Sequence, residues 1–196
     1  MTRLHCHAAL SPSRVPGHDR FASWPPAPGR LGRVTSTSPR RLAVVDIDGV
    51  VADVRHRLHL VEERPKRWEE FFARAADDPP LDEGVALVLD LAAEHEVVWL
   101  TGRPERTREL TERWLAAQGL PAGTLLMRRD RDYRPARYAK REELRRLRRR
   151  WEIAVVVDDD PEVTAALAED GFPVRLADWL PHSSTLRAAQ ERDGRT

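Results

Sequence analysis

Residues 42–49 read Leu-Ala-Val-Val-Asp-Ile-Asp-Gly, an apolar run that ends in two acids. Strand side chains alternate, so Asp46 and Asp48 share one side while Ile47 faces the other. Gly49 permits a sharp exit from the strand. Two carboxylates this close repel each other and need a cation or a shared proton. A hard, oxygen-bound ion such as Mg²⁺ meets that need. One carboxylate can attack phosphorus to form an aspartyl-phosphate. The other can protonate the leaving oxygen and later activate water. The plain alternative is an Asp-Gly turn or a helix cap with no chemistry.

Three further groups have matching character. Ile153–Val157 leads into Asp158-Asp159-Asp160-Pro161. Asp160 precedes a proline and a helical pattern, which predicts an N-cap with proline at the first helical position. Asp158 and Asp159 have no such local use and are the candidate metal-side residues, unless they form a solvated acidic loop. Val97–Leu100 ends in Thr101-Gly102-Arg103-Pro104. A hydroxyl, a glycine turn and a guanidinium ahead of a helix can hold phosphate oxygens; otherwise Thr101 caps a helix and Arg103 lies on the surface. Lys140 is followed by Leu144, Leu147 and Trp151 at spacings of four, three and four. That register puts it on the inward stripe of a helix over 136–150, where it can neutralise phosphate or carboxylates. Snorkelling along apolar surface is the alternative.

These groups must be positioned by a scaffold. Apolar runs at Leu42–Ile47, Val97–Leu100, Thr124–Met127, Ile153–Val157 and Pro173–Leu176 alternate with helical patterns near 84–94, 105–118, 136–150 and 161–170. Continuous apolar strands alternating with helices predict βαβ units, hence a doubly wound α/β fold with a parallel sheet of about five strands. In such sheets ligands sit beyond the carboxyl ends of the strands, where all four groups fall. Residues 52–83 fit neither element; short helices at His56–Glu63 and Trp68–Ala76, broken by Pro65 and closed by Pro79-Pro80, predict a small insertion after the first strand. Residues 1–40, rich in Pro, Ser, Gly and Arg with Asp19 as the one acid, read as a disordered extension, either transit-peptide-like or the product of a start codon placed too far upstream. Residues 182–196 read as a flexible tail.

Composition excludes little else. Net charge is +1, so overall charge names no partner. No apolar run approaches the ~20 residues that span a bilayer. Cys6 is the single cysteine; it allows no internal disulfide and cannot build a zinc site alone, and a reducing, cytoplasmic location is expected.

In order and kind, Asp46-Ile-Asp48-Gly49, Thr101-Gly102-Arg103, Lys140 and Asp158-Asp159 resemble the motifs of haloacid dehalogenase (HAD) superfamily phosphatases, over about residues 41–181. The resemblance implies that Asp46 attacks phosphorus and binds Mg²⁺. It implies that Asp48 is the general acid/base and ligates the metal through its backbone carbonyl. Thr101 and Lys140 would hold phosphoryl oxygens, and Asp158 and Asp159 would complete the metal site. A closer resemblance is to the phosphatase half of polynucleotide kinase/phosphatase proteins. Arg57 lies eleven residues after Asp46, Arg128 lies twelve before Lys140, Arg103 sits in the Thr-Gly-Arg turn, and Val157-Asp-Asp-Asp-Pro-Glu-Val163 is similar. This chain carries no Gly-x-x-x-x-Gly-Lys-Ser/Thr loop, so no kinase half is expected in it.

The expected activity is therefore a Mg²⁺-dependent phosphomonoesterase. Its substrate would be a nucleic-acid 3′-phosphate end or, as the alternative, a nucleotide or sugar phosphate; a non-catalytic HAD-like binding module is a third reading. Arg57, Arg103, Arg128 and Gly102 are the expected substrate contacts. The small insertion implies a lightly capped site open to a large substrate. Residues 128–150 carry twelve Arg/Lys against four acids, with Tyr133 and Tyr138 interleaved. Such a stripe can track a phosphate backbone, or it can be a solvated arginine-rich helix face.

Overall fold

The computed structural model describes residues 40–180. The extension expected at 1–40, apart from Arg40, and the tail expected at 182–196 lie outside them. Five strands, β1 (Leu42–Val45), β2 (Glu96–Pro104), β3 (Thr124–Arg128), β4 (Ile153–Asp158) and β5 (Val174–Leu176), form one sheet. Its order is β3-β2-β1-β4-β5 and every pairing is parallel. Parallel neighbours need long crossovers, and helices supply them. These are α3 (Asp82–Glu94), α4 (Arg108–Ala117), α5 (Ala136–Leu147) and α6 (Pro161–Glu169). The architecture is the expected doubly wound α/β sandwich.

β1 is central, and all four of its side chains are fully buried. A strand covered on both faces must be apolar throughout, which Leu-Ala-Val-Val satisfies. Around it Val45, Ile47, Trp99, Met127 and Val157 join the main core. Leu144 and Leu147 bury the inner stripe of α5, so Leu144→Ala would cost about 2–5 kcal/mol. Asp160 caps α6: its side chain accepts from the Glu162 and Val163 N–H groups, with Pro161 in the first turn.

β1, β2 and α4 differ from expectation, and β1 stops at Val45, so that Asp46 and Asp48 lie just past the strand rather than in it. β2 runs on through Thr101-Gly102-Arg103 to Pro104, and α4 starts only at Arg108 after a short 3₁₀ turn. Pairing with β3 extends the strand, with a register shift between Thr101 and Pro104. The Thr101 hydroxyl accepts from the Arg103 N–H across that irregularity. Thr101-Gly102-Arg103 is thus strand end, separated from the helix it was expected to precede. The insertion holds two short helices, α1 (His59–Glu62) and α2 (Trp68–Ala73), with 3₁₀ turns at Arg55–Arg57 and Arg74–Asp77. It has its own small core of Val54, Leu60, Val61, Trp68, Phe71 and Phe72.

Candidate active site

The register of the sheet assembles the site. Val45 pairs with Val157, so the next residues outward, Asp46 and Asp158, lie side by side where β1 and β4 end. This is the point at which the strand order reverses, the usual place for a ligand in an open α/β sheet. The N–H of Asp46 donates to the Val157 carbonyl at 2.9 Å, and the N–H of Ala177 to the Asp158 carbonyl at 2.9 Å. The backbone beneath both acids is therefore pinned.

Lys140 reaches between them. Its Nζ donates to Asp46 Oδ2 and to Asp158 Oδ2, each at 2.6 Å. All three side chains are buried, so the inward register of Lys140 ends in an ion-pair bridge. Burial pushes the Asp46 carboxyl up to about 7; the charge of Asp158 adds to this and Lys140 opposes it. Burial likewise raises Asp158 to about 6, with Asp159 adding and Lys140 opposing. For Lys140 itself, burial alone would favour the neutral amine, but the two carboxylates prevail and raise it above the usual lysine range. A single ammonium does not fully offset the acids around it, and a further cation is called for.

Asp159 completes a triad with Asp46 and Asp158, whose nearest carboxylate oxygens lie within 4.8 Å of one another. An all-oxygen donor set of this kind suits Mg²⁺ rather than a softer metal. Gly49 makes room for Asp159. It sits at φ +76°, and a Cβ there would stand 2.1 Å from Asp159 Oδ2. The glycine is thus required both by its backbone conformation and by the carboxylate packed against it.

Asp48 lies in a second charge cluster. Its Oδ1 accepts from Arg57 Nη2 at 2.9 Å and from Arg103 Nε and Nη2 at 3.0 and 2.5 Å. Burial would raise its carboxyl, but Arg103 and Arg57 prevail and hold it below the usual carboxylate range. Both guanidiniums continue to Asp78, whose Oδ1 accepts from Arg57 Nε at 2.7 Å and whose Oδ2 accepts from Arg57 Nη2 at 2.8 Å and Arg103 Nη2 at 2.7 Å. His56 Nε2 meets Asp78 Oδ1 at 2.8 Å, and Trp114 Nε1 donates to the Asp78 carbonyl at 2.9 Å. Arg57 also lies over the Phe71 ring, 4.1 Å from its centroid.

The structure therefore brings Asp46, Asp48, Arg57, Arg103, Lys140, Asp158 and Asp159 to one end of the sheet. Thr101 is buried at the end of β2 beside them. Arg57 and Arg103, expected to face substrate, are fully buried and spend most of their donors on Asp48 and Asp78. Arg103 Nη1 is buried without a hydrogen-bond partner. Arg128 turns to its own loop, donating through Nη1 to the carbonyls of Asp132 at 3.3 Å and Arg134 at 2.6 Å. Sequence reasoning missed Asp78. Its one cue was an acid placed just before Pro79-Pro80, too common a turn pattern to single out.

Residues 40–175 match the family described as the polynucleotide kinase PNKP phosphatase domain. The chain belongs to that family. It is a HAD-type phosphatase, a phosphoric monoester hydrolase. Comparison with curated proteins gave no match. Among solved structures, one resembling it is a chain in "Structure of the Pnkp1/Rnl/Hen1 RNA repair complex", at 22% identity and TM-score 0.58 over 74% of this chain and 45% of that one. A second, from "Structure of Pnkp1/Rnl/Hen1 complex", has 23% identity and TM-score 0.59 over 72% and 47%. This chain thus spans less than half the length of either. A haloacid dehalogenase-like hydrolase, SP0104 from Streptococcus pneumoniae, has 11% identity and TM-score 0.52 over 78% and 92%. These likenesses support the HAD-like fold. No helix among the described residues is long and apolar enough to cross a membrane.

Proposed function

We propose that this phosphatase is Mg²⁺-dependent, works through an aspartyl-phosphate on Asp46, and removes the 3′-phosphate from polynucleotide ends. The observation that carries the reading is Lys140 set between Asp46 and Asp158 at 2.6 Å from each, with Asp159 in reach of both acids. Asp46, Asp158, Asp159 and the backbone carbonyl of Asp48 would hold the metal, which supplies positive charge against the transferring phosphoryl group.

The protein's own groups account for the two steps. An Asp46 carboxylate oxygen attacks phosphorus and the ester P–O bond breaks. The leaving oxygen takes its proton from Asp48. Water then attacks the phosphoryl group, Asp48 takes a proton from that water, and the Asp46–phosphorus bond breaks to free phosphate. Lys140 and Thr101 offset charge on the phosphoryl oxygens. Arg57 and Arg103 favour the ionised form of Asp48, the form the second step needs. In the first step the same carboxyl must carry a proton, and a substrate phosphoryl group competing for those guanidiniums would weaken their hold.

The polynucleotide reading rests on the family and on the small insertion. The arginine-rich α5 face supports it less than its composition suggests. Arg141 and Arg145 are paired with Asp170, Arg146 with Glu142 and Glu143, and Arg134 with Asp132 and Glu142. Much of that charge is thereby already matched.

The test is a side-by-side rate measurement with Mg²⁺ on a 3′-phosphorylated oligonucleotide, a 3′-mononucleotide, a 5′-mononucleotide and a sugar phosphate. Preference for the oligonucleotide that fades with added salt is expected. Equal or faster turnover of the small compounds rejects it in favour of a small-molecule phosphatase.

A further inference from the structure

An open groove of about 270 Å³ lies against the ends of β2 and β3. Among its lining residues are Gly102 and Arg128 from those strands, Phe72 from α2, and Arg129, Arg131 and Tyr133 from the loop after β3. It lies at the same end of the sheet as the catalytic groups, and Gly102 of its lining stands between Thr101 and Arg103. Its volume is just below the ~300 Å³ at which small-molecule pockets usually begin, room for about one nucleoside.

The loop bordering the groove is braced. Arg128 holds the carbonyls of Asp132 and Arg134 from beneath. The Asp132 N–H returns to the Arg129 carbonyl at 2.9 Å, and Arg134 folds back on Asp132 through Nε and Nη2. The braced turn presents Tyr133 with 54% of its surface exposed. Across the groove Arg106 lies over the Phe72 ring and is neutralised by Glu69 and Asp130. Arg129 and Arg131 are exposed, and Arg129 is near enough to Glu142 to help hold that carboxyl below its usual range. The groove therefore combines a half-exposed tyrosine with two exposed arginines, at the end of the sheet that carries the phosphate-transferring groups.

We infer that this groove takes the sugar and base of the nucleotide that carries the reacting phosphate, with Tyr133 stacking on the base and Arg129 and Arg131 meeting the next phosphate of the strand. Stacking on an aromatic side chain tolerates any base, since every base has a π-face. Arg128 is then a positioning residue, setting the loop rather than touching substrate. The inference rests on the polynucleotide reading above.

The experiment measures kcat and KM on two 3′-phosphorylated oligonucleotides that differ only in whether the terminal residue carries a base. A generic aryl phosphate is the control. Tyr133→Ala should raise KM for the base-bearing strand about tenfold with kcat unchanged. It should leave the abasic strand as it was, and Tyr133→Phe should behave as wild type. Replacing Arg129 and Arg131 together by alanine should flatten the salt dependence of KM; an unchanged slope removes them from the strand's path. If Tyr133→Ala moves both strands equally, or neither, the groove assignment falls while the 3′-phosphatase reading stands. If wild type hydrolyses the aryl phosphate but neither oligonucleotide, both fall together.

Discussion

Asp48 and Asp78 are held by the same two guanidiniums. Arg57 and Arg103 each donate to both carboxylates, at 2.5–3.0 Å, with all four side chains buried. Asp48 belongs to the turn after β1, Arg103 to β2, and Arg57 and Asp78 to the insertion. The cluster therefore ties the insertion to the catalytic end of the sheet. Breaking a buried ion pair by removing one partner leaves an uncompensated charge, which is why such clusters resist single changes.

Asp78→Ala should accordingly destabilise the domain by about 3–5 kcal/mol, read from urea unfolding. It should also lower kcat, because Arg57 and Arg103 lose one of the two carboxylates that orient them toward Asp48. His56→Ala, at the solvent-facing edge of the cluster, should cost less than about 1 kcal/mol. Equal effects from the two changes would deny Asp78 its central place.

Asp46→Asn should reduce turnover at least about a thousandfold, since the amide is no nucleophile. The protein should still fold, because burial already disfavours the Asp46 carboxylate and pushes it up to about 7. In thermal melts Mg²⁺ should raise the Tm of wild type and do so much less for Asp46→Asn or for Asp158→Asn. Near-wild-type rates in folded Asp46→Asn protein would remove the nucleophile assignment.

Gly49→Ala combines two penalties. A φ of +76° disfavours any side chain, by roughly 1–2 kcal/mol, and the new methyl would collide with the Asp159 carboxylate. The variant should lose stability and, because Asp159 must shift, need more Mg²⁺ for half-maximal activity. Unchanged Mg²⁺ dependence would separate Asp159 from the metal site.

Asp170 provides a test by pH. It follows α6 and accepts from Arg141 and Arg145 of α5, while its carbonyl accepts from Arg148. Those arginines hold its carboxyl well below the ordinary 3.8. A depressed folded-state value means stability that is present above the unfolded value and lost as pH falls through the folded one. The Tm gap between wild type and Asp170→Asn should therefore be full at neutral pH and close progressively below 3.8. A gap constant down to strong acid would show that the α5–α6 clamp is not ionic.

By itself the sequence determined what local periodicity can carry. The apolar run before Asp46 marked the end of a buried strand, the spacing of Leu144 and Leu147 turned Lys140 inward, and Asp160-Pro161 marked the start of α6. Each follows from backbone geometry over a few residues. Tertiary structure decided the pairings between distant segments. Thr101-Gly102-Arg103 became strand end because β3 lay alongside to pair with it. Arg57 and Arg103 turned inward because Asp78, twenty-one residues beyond Arg57, was there to receive them. Arg141 and Arg145 of α5 gained a partner because the fold set Asp170, just after α6, within reach of both. A charge has no period, and where it points depends on which opposite charge the fold delivers within reach.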